Sequence, residues 1–262
     1  MKKVIYTAMS GGYDHIQQPN VIAEDWDYIC FSNDISESKI GVWQIRPIPF
    51  HHRNHKRVAM FAKFHPHTLL PEYDYAVWLD ANNTIKEHYI YQRADDFYNH
   101  GDIVAHIMHP ECDCIYKEAF RCLYYNKDGM LNVIKTLRFL VKNNYPHRQG
   151  LYENNLIYWN HHAPLIVDAL EDFWRIYIKV SKRDQLTLNY VYFKLNISPS
   201  LYLPVGEHMQ NSQHIGRRNH TEKDKSSRIT RKDYWFNRCK MWIVRFIFLL
   251  SGEDMRNKIL YK

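Results

Sequence analysis

The sequence predicts an α/β fold: a mixed sheet of short strands flanked by helices, followed by a basic, aromatic helical tail. Three observations carry this. Apolar runs at 4–9, 28–31 and 76–79 stop at small polar residues, the pattern of buried strands that open onto loops. Longer stretches at 53–64, 90–99, 119–125, 131–143 and 163–181 keep the helical period instead. Residues 234–250 are a different material, almost entirely apolar with a narrow basic stripe. A chain of 262 residues is long enough for one large domain and a tail, expected at 1–215 and 216–262.

Taken in order, 4–9 is the first strand, and Ser10-Gly-Gly-Tyr-Asp14 is a loop whose glycines either let backbone approach a ligand or simply turn. The strand at 28–31 ends in Ser32-Asn33-Asp34. An acid at the end of an early strand meets a ribose or base in nucleotide-binding sheets, and an Asx turn is the plain alternative. Residues 43–47 are extended and closed by prolines. In the helix expected from Arg53, the cations Arg53, Lys56, Arg57 and Lys63 fall within about 120° of one another, with Val58, Phe61 and Ala62 opposite. Such a face is either solvated or supplies counter-charge to a diphosphate, and Arg57 and Lys63 are the candidates for the second role.

The run at 76–79 ends abruptly in Asp80-Ala-Asn82-Asn83. A carboxylate and a carboxamide two residues apart can aim hard oxygens at one point, which suits Mg²⁺ or Mn²⁺; an Asx-rich turn is the alternative. Glu153 is expected just before a strand, either binding an acceptor hydroxyl or acting as base, or else as a surface turn acid. Asp184-Gln185 lies between two apolar runs, so Asp184 either caps a helix or serves the acceptor. In 211–220, His214 is a candidate third metal ligand and Arg217 or Arg218 a phosphate clamp, unless the segment is a mobile linker.

The net charge of +7 suits an anionic ligand or lipid headgroups, and no nucleic-acid-binding module is recognisable. Five cysteines are too few and too irregular for a disulfide framework, and the spacing of Cys112-x-Cys114 is wrong for a zinc knuckle, so a reducing compartment is expected. The chain runs straight into its first strand, and no signal peptide is expected. The tail is too short and too charged to span a bilayer comfortably. It is expected to lie on an anionic interface, at the inner face of the cell membrane, or else to dock on the protein's own core.

The run Arg57…Lys63-Phe-His-Pro-His67…Leu70-Pro71…Tyr75-Ala-Val-Trp-Leu-Asp80-Ala-Asn82, with Arg183-Asp184-Gln185-Leu186 far downstream, resembles the glycosyltransferase-like family of the TOD/mucilage type over roughly 1–200. The resemblance implies a GT-A-like fold with a Rossmann-type nucleotide half, a divalent metal and a nucleotide-sugar donor, with Asp80 and Asn82 as the metal-site pair. Asn82 stands where the commonest form of the motif has a second Asp, and its neutral oxygen lowers the expected metal affinity. His214-x-Gly216-x-Arg218 is similar to the late His-Gly-basic element of retaining GT-A enzymes.

The expected function is therefore metal-dependent transfer of a sugar from a nucleotide-sugar donor to a glycan or lipid-linked acceptor, in bacterial surface polysaccharide synthesis. Asp80, Asn82 and His214 would hold Mn²⁺ or Mg²⁺. Arg57, Lys63 and Arg217 would face the diphosphate, and Asp34 the nucleoside. Glu153 or Asp184 would orient the acceptor hydroxyl and take its proton if the enzyme inverts. The alternative is a non-catalytic glycan- or nucleotide-binding domain on the same scaffold. No nucleic-acid partner is expected.

Overall fold

The apolar runs become strands with both faces buried, as β5 illustrates: all five of its residues are buried. The computed structural model describes residues 1–12, 15–218 and 231–250. In chain order the elements are β1 (Lys3–Met9), β2 (Asp27–Ser32), β3 (Lys39–Ile40), β4 (Trp43–Arg46), α1 (His55–Phe64), α2 (Pro66–Leu69), β5 (Tyr75–Leu79), β6 (Asn83–Ile85), α3 (Tyr89–His100) and β7 (Val104–Met108). They continue as α4 (Ile115–Tyr124), α5 (Met130–Lys142), β8 (Tyr152–Trp159), α6 (Pro164–Lys179), a 3-10 turn (Asp184–Leu186), α7 (Leu188–Leu195), β9 (Ser200–Leu201), β10 (Ile215–Arg217) and α8 (Arg231–Leu249).

One eight-stranded sheet runs β3-β4-β2-β1-β5-β8-β7-β9. β4, β2, β1 and β5 are mutually parallel, whereas β8 is antiparallel to β5 and β3 to β4. This is the Rossmann-type mixed α/β sheet expected from the sequence, with helices around it and a helical tail. From β1 the chain steps outward to β2 and β4, then returns to place β5 on the other side of β1. That reversal opens a crevice at the carboxyl ends of the strands, where open α/β sheets bind their ligands. A separate two-stranded ribbon pairs β6 with β10, antiparallel.

The chain divides into two compact units. The first comprises Met1–Pro110, Glu153–Glu171 and Pro199–Lys223; the second comprises Glu111–Tyr152, Asp172–Ser198 and Asp224–Lys262. The division is thus made of interleaved segments, whereas the sequence reading drew a single boundary at 215/216. The core of the first unit is aromatic: Trp26 packs edge-on against Tyr75 at 5.5 Å, and Phe97 edge-on against Tyr202 at 5.3 Å. Such rings bury about 150–250 Å² each, and their polar tips need partners. Tyr202 donates its hydroxyl to the Ile90 carbonyl at 2.8 Å, and Tyr28 donates to Tyr91 at 2.8 Å.

The structure corrects several details. Glu153 lies within β8 rather than before it. α1 starts at His55, so Arg53 precedes the helix. Residues 188–195 form helix α7. Residues 215–217 form a paired strand rather than a mobile linker, while 13–14 and 219–230 lie outside the described residues. At Gly216 an added Cβ would sit 2.7 Å from Thr84 Cγ2 and 3.0 Å from Lys86 Cε, so the close approach of β6 and β10 requires glycine there.

Candidate functional site at the carboxyl ends of the central strands

Three neighbouring parallel strands end together in the first unit. β1 ends at Ser10-Gly11, β2 at Asn33-Asp34 and β5 at Asp80. Above β1 and β2 lies a cleft of about 580 Å³ lined by Ser10, Asp34, Phe50, His52, Arg53 and His55, among others. Its floor is tied across the strand ends. Gly11, at φ +80, donates its N–H to the Asp34 carboxylate, and Ser10 Oγ bonds His55 Nδ1 at 2.9 Å. A Cβ at Gly11 would stand 2.8 Å from the His55 ring, so the turn depends on glycine for both conformation and space. One wall is aromatic, with Phe50 stacked on Phe61 at 4.8 Å and on His52 at 6.2 Å. Arg57 Nη1 lies 3.4 Å from His52 Nε2, which puts it on the cleft side of α1.

Asp80 caps β5 with its carboxylate about a third exposed, at 32%. One oxygen, Oδ1, accepts from Trp78 Nε1 at 2.7 Å and from Lys63 Nζ at 3.2 Å. The other, Oδ2, takes no hydrogen bond among the described residues. Lys63 is buried, its ammonium 5.1 Å from the Trp78 ring centre, so it does not belong to a solvated cationic face. The backbone fixes the turn: Asp80 N–H donates to the Asn155 carbonyl and Asn83 N–H to the Asp80 carbonyl, both at 2.9 Å.

Glu153, one strand over, is buried and accepts the Met209 N–H at 3.1 Å. Burial raises its carboxyl above the usual range, and Asp80 pushes the same way, while the Met209 N–H, His208 and Arg217 oppose. Asp80 and Arg217 thus both act on Glu153, and Lys63 pairs with Asp80.

The expected metal set is brought together only in part. Asn82 is buried and donates Nδ2 to the Arg218 carbonyl at 3.0 Å, leaving its Oδ1 to accept. His214 is elsewhere. Arg217 pairs with Asn83, while Ile215 pairs with Ile85, so His214 lies about 13 Å along the strand from Arg218, the residue beside Asn82. Its Nδ1 bonds Glu87 Oε2 at 2.7 Å, and its ring stacks on Tyr89 at 4.0 Å. The sequence reading of His214 as third ligand is corrected by this register. Among the described residues no group of three or more His, Cys, Asp or Glu side chains could hold a metal ion. Asp80 Oδ2 and Asn82 Oδ1 are the oxygens that could face a hard cation, with substrate oxygens and water needed for the remaining positions.

Three features escaped the sequence reading: the Trp78 indole on Asp80, the aromatic wall at Phe50, and Asn83, whose amide is buried with no partner among the described residues. Only the proximity of Trp78 to Asp80 in the chain could have signalled the first. Asp184 belongs to the second unit, buried within the 3-10 turn. The N-cap of α7 is Thr187, so Asp184 does not cap that helix. Its neighbour Arg183 donates to Gln185 Oε1 at 3.2 Å, and Gln185 donates to the Tyr152 carbonyl at 3.3 Å.

No protein-family model matches the chain, and no curated protein does. Among solved structures, it is similar to the apo structure of the bifunctional glycosyltransferase WbbM, at 14% identity over 78% of this chain and 38% of that one, with a TM-score of 0.41. The chain therefore spans well under half the length of WbbM. It is also similar to the apo crystal structure of mouse xyloside xylosyltransferase 1, at 10% identity over 76% of this chain and 83% of that one, with a TM-score of 0.43.

Proposed function

We propose that the chain is a glycosyltransferase of the TOD/mucilage type, moving a sugar from a nucleotide-sugar donor to a glycan or lipid-linked acceptor. One observation carries the reading: the aromatic, Arg53-bearing cleft and the Asp80 carboxylate sit at the carboxyl ends of adjacent parallel strands, astride the strand-order reversal. The cleft would take the nucleoside, with Asp34 on its polar side and Phe50 on its apolar side. The diphosphate would reach towards Asp80, where Lys63 and Arg217 supply positive charge to a leaving group. Asp80 and Asn82 would hold Mn²⁺ or Mg²⁺, which when bound supplies Lewis-acid stabilisation of the departing diphosphate. Glu153, whose carboxyl burial raises above the usual range, would hydrogen-bond an acceptor hydroxyl and orient it. A setting in surface polysaccharide synthesis is the part of this proposal that the sequence alone supports.

The test is turnover of a nucleotide-sugar panel by the full chain, with and without Mn²⁺, read as release of nucleoside diphosphate. The expected result is metal-dependent release from one donor, reduced about 100-fold or more by Asp80→Ala. Tight nucleotide binding without any release, with or without acceptor glycans, would assign the scaffold to binding alone.

A further inference from the structure

Helix α8 has two apolar faces, and among the described residues only one of them is packed against the protein. At 100° per residue, Asn237, Val244 and Phe248 fall within about 40° of one another. All three are buried, and α8 packs against α4 and α5 of the same unit. Asn237 Nδ2 donates to the Tyr124 carbonyl at 2.8 Å, and Lys240 Nζ to Asn126 Oδ1 at 3.2 Å. These contacts fix which side of the helix faces in.

The opposite side carries Trp235, Trp242, Ile243, Phe246, Leu249 and Leu250 within an arc of about 120°. Trp242 is 63% exposed and Phe246 59%, values that packing on the protein's own core would not leave. Cations frame the stripe. Arg238 and Arg245 run along one edge and Lys240 along the other, where its ammonium lies 4.5 Å from the Phe236 ring. The one acidic residue of α8, Asp233, falls beside the inward face at about 160° from Trp235. Across 19 residues, about 28 Å, the outer face is therefore an apolar strip with positive rims and no negative charge.

We propose that this outer face docks on an anionic lipid bilayer, with α8 lying flat in the headgroup region. Aromatic side chains and flanking Lys or Arg suit that boundary, where rings enter the acyl edge and cations meet phosphate. Among the described residues no helix is long and apolar enough to cross a membrane, so the geometry is that of lying on the surface. A second copy fits the face poorly, because its own positive rims would oppose these. The proposal goes beyond the sugar-transfer reading, since lipid binding needs neither donor nor Asp80.

The experiment is cosedimentation of the full chain with vesicles of phosphatidylcholine alone or mixed with phosphatidylglycerol, at low salt. Binding to the mixed vesicles is expected to be roughly 100-fold tighter than to the neutral ones, given three cations at the surface. Trp242→Ser with Phe246→Ser should weaken it at least about tenfold, with the melting temperature unchanged because both positions are exposed. If that variant melts early, Arg238→Gln with Arg245→Gln tests the same face through its rim, and should erase most of the preference for anionic vesicles. Wild-type protein that stays in the supernatant with phosphatidylglycerol vesicles overturns the proposal. So does binding that neither variant alters, or a dimer in sedimentation velocity that the Trp242→Ser, Phe246→Ser variant dissolves.

Discussion

Helices α1 and α8 both carry several cations along an otherwise apolar sequence, yet they handle that charge in opposite ways. In α1, Lys63 turns inward, is buried, and spends its charge on Asp80 at 3.2 Å. In α8, Arg238 and Arg245 stay exposed at the edge of an apolar strip that no protein surface covers among the described residues. A helical wheel treats the two alike. The difference comes from the partner: a strand-end carboxylate meets the last turn of α1, whereas α8 meets its neighbours only through the Asn237, Val244 and Phe248 side. A cation is drawn into the protein where an acid is delivered to it, and stays at the solvent where none is.

The largest effect that sharpens this contrast is expected at the inward face of α8. Phe248→Ala removes a fully buried ring and should cost about 4 kcal/mol in urea unfolding. A negligible change would mean that the helix is not docked as described. Next comes acid. Burial lowers His65, at the end of α1, and His161, beside Leu70, from 6.5 to about 4. Each is held neutral when folded, so the stability this supplies is whole above pH 6.5 and is lost as pH falls towards 4. The loss is about 3 kcal/mol per residue. Unfolding midpoints measured between pH 7 and pH 4 should drop accordingly, and a flat profile would contradict the buried, neutral assignment. α8 has no histidine and does not share in this loss.

Smaller effects test the two cationic arrangements directly. Lys63→Met keeps the buried stem but strips Asp80 of its ion pair. Because Asp80 is about a third exposed and partly screened, the cost should be about 2 kcal/mol rather than that of a fully buried pair. Trp242→Ser should change stability by no more than about 0.5 kcal/mol, since the ring is mostly in solvent. A larger loss there would show that the outer face of α8 is covered.

Much of the sheet was legible. Residues 28–31 and 76–79 are uninterrupted apolar runs, and 4–9 is broken only by Thr7; such runs form buried strands almost irrespective of context. The carboxylate at the end of β5 followed from the same pattern. The burial of Lys63 did not, because the wheel groups it with Arg57 and carries no information about where Asp80 arrives. Glu153 was misplaced because Tyr152-Glu-Asn-Asn155 alternates no apolar residues, although the strand containing it is held by neighbours on either side. The β6–β10 ribbon was invisible for a related reason. Its strands are three residues each and pair across more than a hundred positions, so no local period marks them, and the register that separates His214 from Asn82 exists only in the folded chain.

The measurement closest to the central claim is calorimetric titration of uridine and guanosine diphosphates into the wild-type chain and Asp80→Ala, in Mn²⁺ and in a chelator. The account predicts that one nucleotide binds with Mn²⁺, and that the affinity falls at least about tenfold in the chelator and in the variant. Binding that is indifferent to both the metal and Asp80, in protein shown to be folded, would contradict it.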